Sequence, residues 1–180
     1  MIVTLAERKA RKIAMSDAQW IDVEEDIDAA VVHLKNALAL SEIGQFGGGD
    51  LESYRDEMAL MHAMQLAHTS AESTLKRILC MLDEELPLSD DWPQQLINRL
   101  AKAIEGDHAR PALLDRETMD DLQETRTFRH HVRYSYGSFE ISRAEPVLAA
   151  ARRLVVSLPA QVSRFRRLID SFPERIGPEV

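Results

Sequence analysis

A single cysteine, Cys80, stands in these 180 residues, so neither a disulfide framework nor a cysteine-based metal site can form within one chain. A reducing, cytoplasmic home is the default that follows. Cys80 itself, set in Leu79-Cys80-Met81-Leu82, is expected as a small core residue. Glycine is scarce at seven residues and aromatics make up 6%, which disfavours a sheet. No stretch approaches the roughly 18 uncharged apolar residues that a membrane helix needs, so no membrane partner is expected. Residues 1–15 alternate Lys and Arg with small apolar residues and lack a continuous apolar core, unlike a secretory signal. A net charge of −8 argues against coating nucleic acid through a global positive field. Neither an internal repeat nor a low-complexity linker marks a second domain.

What is present favours helices: 45% hydrophobic and 29% charged residues, rich in Ala, Leu, Glu and Arg. Ser16 and Asp17 cap a first helix carrying Trp20, Ile27, Val31, Leu34 and Leu38, which ends at Gly44 and the Gly47-Gly48-Gly49 run. Asp50 caps a second, with Leu60, Met64, Ala67, Ala71, Leu75, Ile78 and Leu82 in one stripe, lasting to Pro87 and Ser89-Asp90-Asp91. A short third helix has Pro93 in its first turn, carries Leu96, Ile97 and Leu100, and stops near Gly106. The fourth starts near Asp115 or Arg116 and closes at Gly137. Ser142 caps the fifth, lined by Leu148, Ala151, Leu154, Val155, Leu158, Val162, Phe165, Leu168 and Phe172, with Pro159 expected to kink or split it. The fold expected is all-α: an antiparallel up-and-down bundle of four to five helices over residues 16–175, preceded by a basic extension over 1–15.

Charge is unevenly spread. Eleven acids between Asp17 and Glu57 face only Lys35 and Arg55, whereas the segment from Arg143 to Arg175 is rich in arginine. Such polarity is met by pairing within the fold, or else by a basic groove or an acidic partner surface. The densest chemistry lies in Phe128-Arg129-His130-His131-Val132-Arg133-Tyr134-Ser135-Tyr136-Gly137. At 100° per residue Arg126, Arg129, Arg133 and Tyr136 share a face about 80° wide, with His130 and then Tyr134 beside it. Crowded guanidiniums need an anion between them, either a phosphodiester or a carboxylate from this chain or a second copy.

The order of several short pieces carries a family resemblance. They are Ala71-Glu72, Leu75-Lys76-Arg77-Ile78, Leu82-Asp83 to Leu86-Pro87, Trp92, Leu96-Ile97, Arg110-Pro111, Leu122, and Arg126-Thr127-Phe128-Arg129-His130 through Arg133, Tyr136 and Gly137. From about His62 to Glu140, a little under half of the chain, the sequence resembles the HepT-like branch of the HEPN superfamily. The resemblance implies an HEPN-like helical bundle and a metal-independent endoribonuclease without a cofactor. It further implies a homodimer whose two motifs line one cleft, acting on RNA as a toxin neutralised by a cognate minimal nucleotidyltransferase. In some such pairs the partner transfers AMP to the motif tyrosine. The family signature is Arg, four to six residues, His, one residue, Tyr; Arg129 and Tyr136 match its ends, and Tyr134 stands where the family has His.

That difference has chemical weight. Metal-independent cleavage needs a base for the 2′-hydroxyl, a stabiliser for the phosphorane and an acid for the leaving oxygen. Arginine stabilises but takes no proton, and a tyrosine of pKa near 10 is ionised to about one part in a thousand at neutrality. His130, one turn before Tyr134, is the natural substitute; His131, separated from Arg126 by four residues, fits the spacing but points away from the arginine face. The expected catalytic set is therefore Arg129, His130, Tyr134 and Tyr136 with Arg126 and Arg133. A degenerate domain that binds or regulates without cutting is the alternative, and a plain helical dimerisation module is a third reading. His62 and His68, six apart, do not share a ligand face, and Glu24-Asp28 lacks a histidine partner, so no metal site is expected. Gly47-Gly48-Gly49 follows a helix and lacks a following Lys-Ser/Thr, unlike a phosphate loop.

Overall fold

Asp17, Asp50 and Asp115 each stand at or just before the first turn of a long helix, where backbone N–H groups lack partners within the helix. In the computed structural model, Asp50 Oδ1 accepts from the Ser53 backbone at 2.8 Å and Asp115 Oδ1 from that of Thr118 at 2.9 Å. The structure describes residues 17–88, 91–106, 109–134 and 141–171, with the backbone alone at 130–134 and 142–143. Among them run α1 (Asp17–Ile43), α2 (Leu51–Met81), α3 (Trp92–Leu100), α4 (Arg116–Tyr134), a 3₁₀ turn (Ile141–Ala144) and α5 (Glu145–Ser171). The fold is all-α, and no strand occurs among the described residues beyond one isolated bridge between Ile104 and Arg110. The extension over 1–15, the Ser16 cap, Tyr136, Gly137 and the residues from Phe172 on lie outside the described residues.

The apolar stripes place the four long helices in a ring: α1 against α2, α2 against α4, α4 against α5 and α5 back against α1, with α3 laid across α2 and α4. All seven residues of the expected α2 stripe are buried, as are Trp20, Val23, Ile27, Ala30, Leu34 and Ala37 of α1. Arg77, near the end of α2, reaches Asp26 at 2.6 Å and Asp22 at 3.2 Å near the start of α1, so these neighbours run antiparallel. Arg166 does the same from α5, meeting Asp17 at 3.1 Å and Glu24 at 2.7 Å. Four of the eleven acids of that stretch are thus paired within the fold. The turn between α1 and α2 is held by two acids at the start of α2: the Gln45 N–H donates to Asp56 at 3.0 Å and the Gly47 N–H to Glu57 at 3.1 Å. Gly48 packs on Ser53 so closely that a Cβ would lie 2.5 Å from its hydroxyl.

Several boundaries differ from the sequence expectation. α2 ends at Met81, well before Pro87, because Asp83 turns the chain at φ 56° and the Leu82 N–H closes the last turn on Ile78. α3 ends at Leu100, whose carbonyl accepts from both Leu113 and Leu114 and so ties down the following loop. Ser142 falls within the 3₁₀ turn rather than capping α5. α5 is not split: Pro159 lies inside one continuous helix, costing one backbone hydrogen bond while buried Leu158 and Val162 hold both sides. Cys80 is exposed, because it lies off the stripe that buries Ile78 and Leu79. Leu168 is exposed on the end of α5.

Arg110 clasps the connection from α3 to α4. Only 3% exposed, it pairs with Glu84 and donates to the carbonyls of Lys102 at 2.8 Å, Arg99 at 3.2 Å and Pro111 at 3.3 Å. Replacing it by Met leaves the partly buried Glu84 to Arg99 alone and takes a donor from three carbonyls, of which that of Arg99 keeps the Lys102 N–H. Arg110→Met is expected to cost about 3–5 kcal/mol, read as a shifted midpoint in urea denaturation; a shift below about 1 kcal/mol would show that the clasp is not structural.

Candidate functional site

α4 buries little hydrocarbon. Leu122 is its one fully buried apolar side chain among the described residues, with Met119 and Phe128 packed at the margin. Thr118, Asp121 and Thr125 are buried beside it. A helix that turns polar groups inward must meet partners there, since an unpaired buried polar group costs about 1–3 kcal/mol. Asp121 receives Arg153 of α5 at 3.0 and 2.5 Å. Gln123 donates to Asn98 of α3 at 3.2 Å and accepts from Arg126 Nε at 2.8 Å. Thr125 meets His68 of α2, with Oγ1 and Nδ1 2.9 Å apart.

One turn further along both helices, Arg129 Nη1 donates to Glu72 Oε2 at 3.2 Å. Glu72 is nearly buried, whereas the Arg129 side chain is 28% exposed. The other Glu72 oxygen lies 3.2 Å from Lys76 Nζ, which in turn sits 4.0 Å above the Trp92 ring. His68 faces the same carboxylate: Nε2 is 3.8 Å from Glu72 Oε2, beyond hydrogen-bond range, and has no hydrogen-bond partner among the described residues. Burial, aided by the positive charges of Arg129 and Arg126, pushes the His68 pKa down to about 3. Its ring is therefore neutral throughout the physiological range and a poor proton acceptor.

Of the expected catalytic residues, Arg126 and Arg129 are described, and α4 brings both beside the His68–Glu72 row of α2. Glu72 supplies the carboxylate that was one of the two counter-ions open to the arginine face. The helix backbone continues through His130, Arg133 and Tyr134, but their side chains, and Tyr136 altogether, lie outside the described residues. His68, Glu72, Lys76, Gln123 and Thr125 stand beside these arginines in the candidate site, although the motif does not contain them. The signal for three of them was a row at a spacing of four, His68-Glu72-Lys76, running beside the apolar stripe of α2. Among the described residues no group of three His, Cys, Asp or Glu side chains is arranged to hold a metal ion.

A family model described as HepT-like protein matches residues 59–169, more than half of the chain and all of α3 and α4. No curated protein and no solved structure matches it.

The depressed His68 pKa has a sign that stability measurements read. The unfolded chain binds a proton near pH 6.5 that the folded chain refuses until about pH 3. Stability is therefore complete above pH 6.5 and falls as pH drops from there towards 3, by up to roughly 1.4 kcal/mol per pH unit from this group. Wild-type protein is expected to lose more stability between pH 7 and pH 5 than His68→Gln; equal losses would contradict a buried neutral imidazole.

Proposed function

The chain belongs to the HepT-like protein family, and from that premise we propose that it is a metal-independent endoribonuclease of the HEPN type, the toxin of a pair with a minimal nucleotidyltransferase. The observation that carries the reading is the setting of Arg129. A single N–H of its guanidinium is committed to Glu72 among the described residues, and the side chain keeps 28% exposure. A guanidinium fixed at one corner and open at the others is preorganised for phosphate oxygens, and it needs no rearrangement as charge builds on a phosphorane.

In this reading Arg129 stabilises the pentacoordinate phosphorus while the 2′-oxygen attacks. Arg126, beside it and oriented by Gln123, adds positive charge. His130, next along α4, takes the 2′-hydroxyl proton, since His68 is buried away from solvent and its lowered pKa makes it a weak base. Tyr134 gives its proton to the leaving 5′-oxygen, and Tyr136 donates a hydrogen bond to the phosphate. Two copies bring two such helix ends to one groove, because one end alone offers few groups. The partner nucleotidyltransferase acts on the same helix end, with Tyr136 as the hydroxyl that accepts AMP.

A second reading is favoured by one residue: Tyr134, where the family signature has histidine. A domain so altered binds RNA or its partner without cutting. Purified wild-type protein is expected to cleave single-stranded RNA in EDTA, leaving 2′,3′-cyclic phosphate ends, and Arg129→Ala to lower kcat by about 10²–10³-fold. RNA left intact in EDTA but cut on adding a divalent metal would remove the mechanism. Intact RNA under both conditions, with cleavage appearing in Tyr134→His, would establish the second reading instead. Size-exclusion chromatography at micromolar concentration is expected to give a dimer; monomer alone would remove the shared groove.

A further inference from the structure

Glu72 is flanked by more positive charge than it can neutralise. Arg129 and Lys76 each sit 3.2 Å from one of its oxygens, and Arg126 stands close enough to act on His68 beside it. Three cations against one carboxylate, with His68 neutral, leave a surplus of two positive charges on a protein whose net charge is −8. That surplus is divided between helices: Arg126 and Arg129 belong to α4, Lys76 to α2. Lys76 is also held in place. Glu72 draws its ammonium from one side and the Trp92 ring lies 4.0 Å below it, yet the side chain remains 36% exposed. A lysine on a flexible stem, pinned at its head and open to solvent, is suited to contact an anion as a point charge.

A strand gripped at one phosphate alone can still swivel about it, and in-line attack by the 2′-oxygen requires the sugar on one side of that phosphate to be oriented. A second cation on a neighbouring phosphate supplies that restraint. We propose that Lys76 is a phosphate ligand for single-stranded RNA, contacting the phosphate next to the one held by Arg129, so that the substrate track runs from α4 across Glu72 onto α2. The inference rests on the ribonuclease reading and deepens it by fixing where the strand lies. The competing role for Lys76 is structural: neutralising Glu72 and anchoring Trp92.

The test uses a 2′-O-methyl oligoribonucleotide, which binds but is not cut, titrated over a series of salt concentrations. Replacing Lys76 by Met is expected to reduce the slope of log affinity against log salt by about 0.7, the loss of one phosphate contact on a single strand. With cleavable RNA the same change raises KM about 5–10-fold and also lowers kcat, because the strand is held less tightly and its sugar is less well oriented, and Lys76→Arg restores the slope. A lowered melting temperature with an unchanged salt slope would assign Lys76 the structural role and overturn the proposal. Should Lys76→Met fail to fold, oligonucleotides with single methylphosphonate linkages decide the matter on wild-type protein. Affinity is expected to drop at the scissile linkage and at one neighbour, and to drop at the scissile linkage alone if the proposal is wrong. Wild-type protein that neither binds nor cuts RNA would remove the ribonuclease reading and this one with it. Wild-type protein that cuts RNA, with an unchanged slope in the variant, would remove this one only.

Discussion

The fourth helix is held in the bundle by polar pairs rather than by hydrocarbon, and the position of the site depends on this. Asp121 with Arg153, Thr125 with His68 and Arg129 with Glu72 lie along its inward side, while Leu122 is its one fully buried apolar side chain among the described residues. Apolar contacts tolerate a slip, because one methyl group replaces another at little cost. Hydrogen bonds and ion pairs do not, and a half-satisfied network is worse than none. Sliding α4 by one turn would part Asp121 from Arg153, His68 from Thr125 and Glu72 from Arg129 at once. The register that puts Arg126 and Arg129 beside α2 is therefore enforced at several points.

The same network divides the chemistry. His68 lies deep in the seam, and burial with two nearby guanidiniums keeps its ring neutral. It can orient Thr125 and fill the space beside Glu72 without adding charge. Arg129 stands at the outer edge of the seam, where one N–H is tied down and solvent reaches the rest. Moving outward, the groups pass from neutral to anionic to cationic, so the positive end faces solvent. On the ribonuclease reading the phosphate meets a charge already oriented, and proton transfer falls to imidazoles further along α4.

Parts of this were legible in the sequence for physical reasons. The α2 stripe from Leu60 to Leu82 is a helical period read directly, and Asp50 before it is a side chain able to satisfy free N–H groups. The helix that carries the motif was legible from its density of Arg, His and Tyr, since few structural needs call for that combination. Glu72 and His68 were not, because the polar groups that matter were chosen by a helix 57 residues away, and one sequence period does not state which row faces another. Cys80 illustrates the same limit: surrounded by apolar neighbours in the chain, it falls on a side of α2 that no described helix covers. The early end of α2 arose from Asp83 in the left-handed region, which a non-glycine residue seldom adopts and which local composition did not signal.

On the ribonuclease reading, a net charge of −8 sets the terms on which this protein meets a polyanion. Long-range attraction is absent, so nothing draws RNA to the surface as a whole, and beyond about 8 Å at physiological salt even a local patch is screened. Binding must then come from contacts made at close range, where the surplus around Glu72 acts on the few phosphates that can approach it. The acids of α1 are in part already spent on Arg77 and Arg166, which leaves the seam between α2 and α4 as a place where positive charge exceeds its internal partners. On that reading a strand that fits this seam is held, and one that does not gains nothing from the rest of the surface. Selection by fit rather than by charge is the consequence, and it follows from a local excess set in an acidic protein.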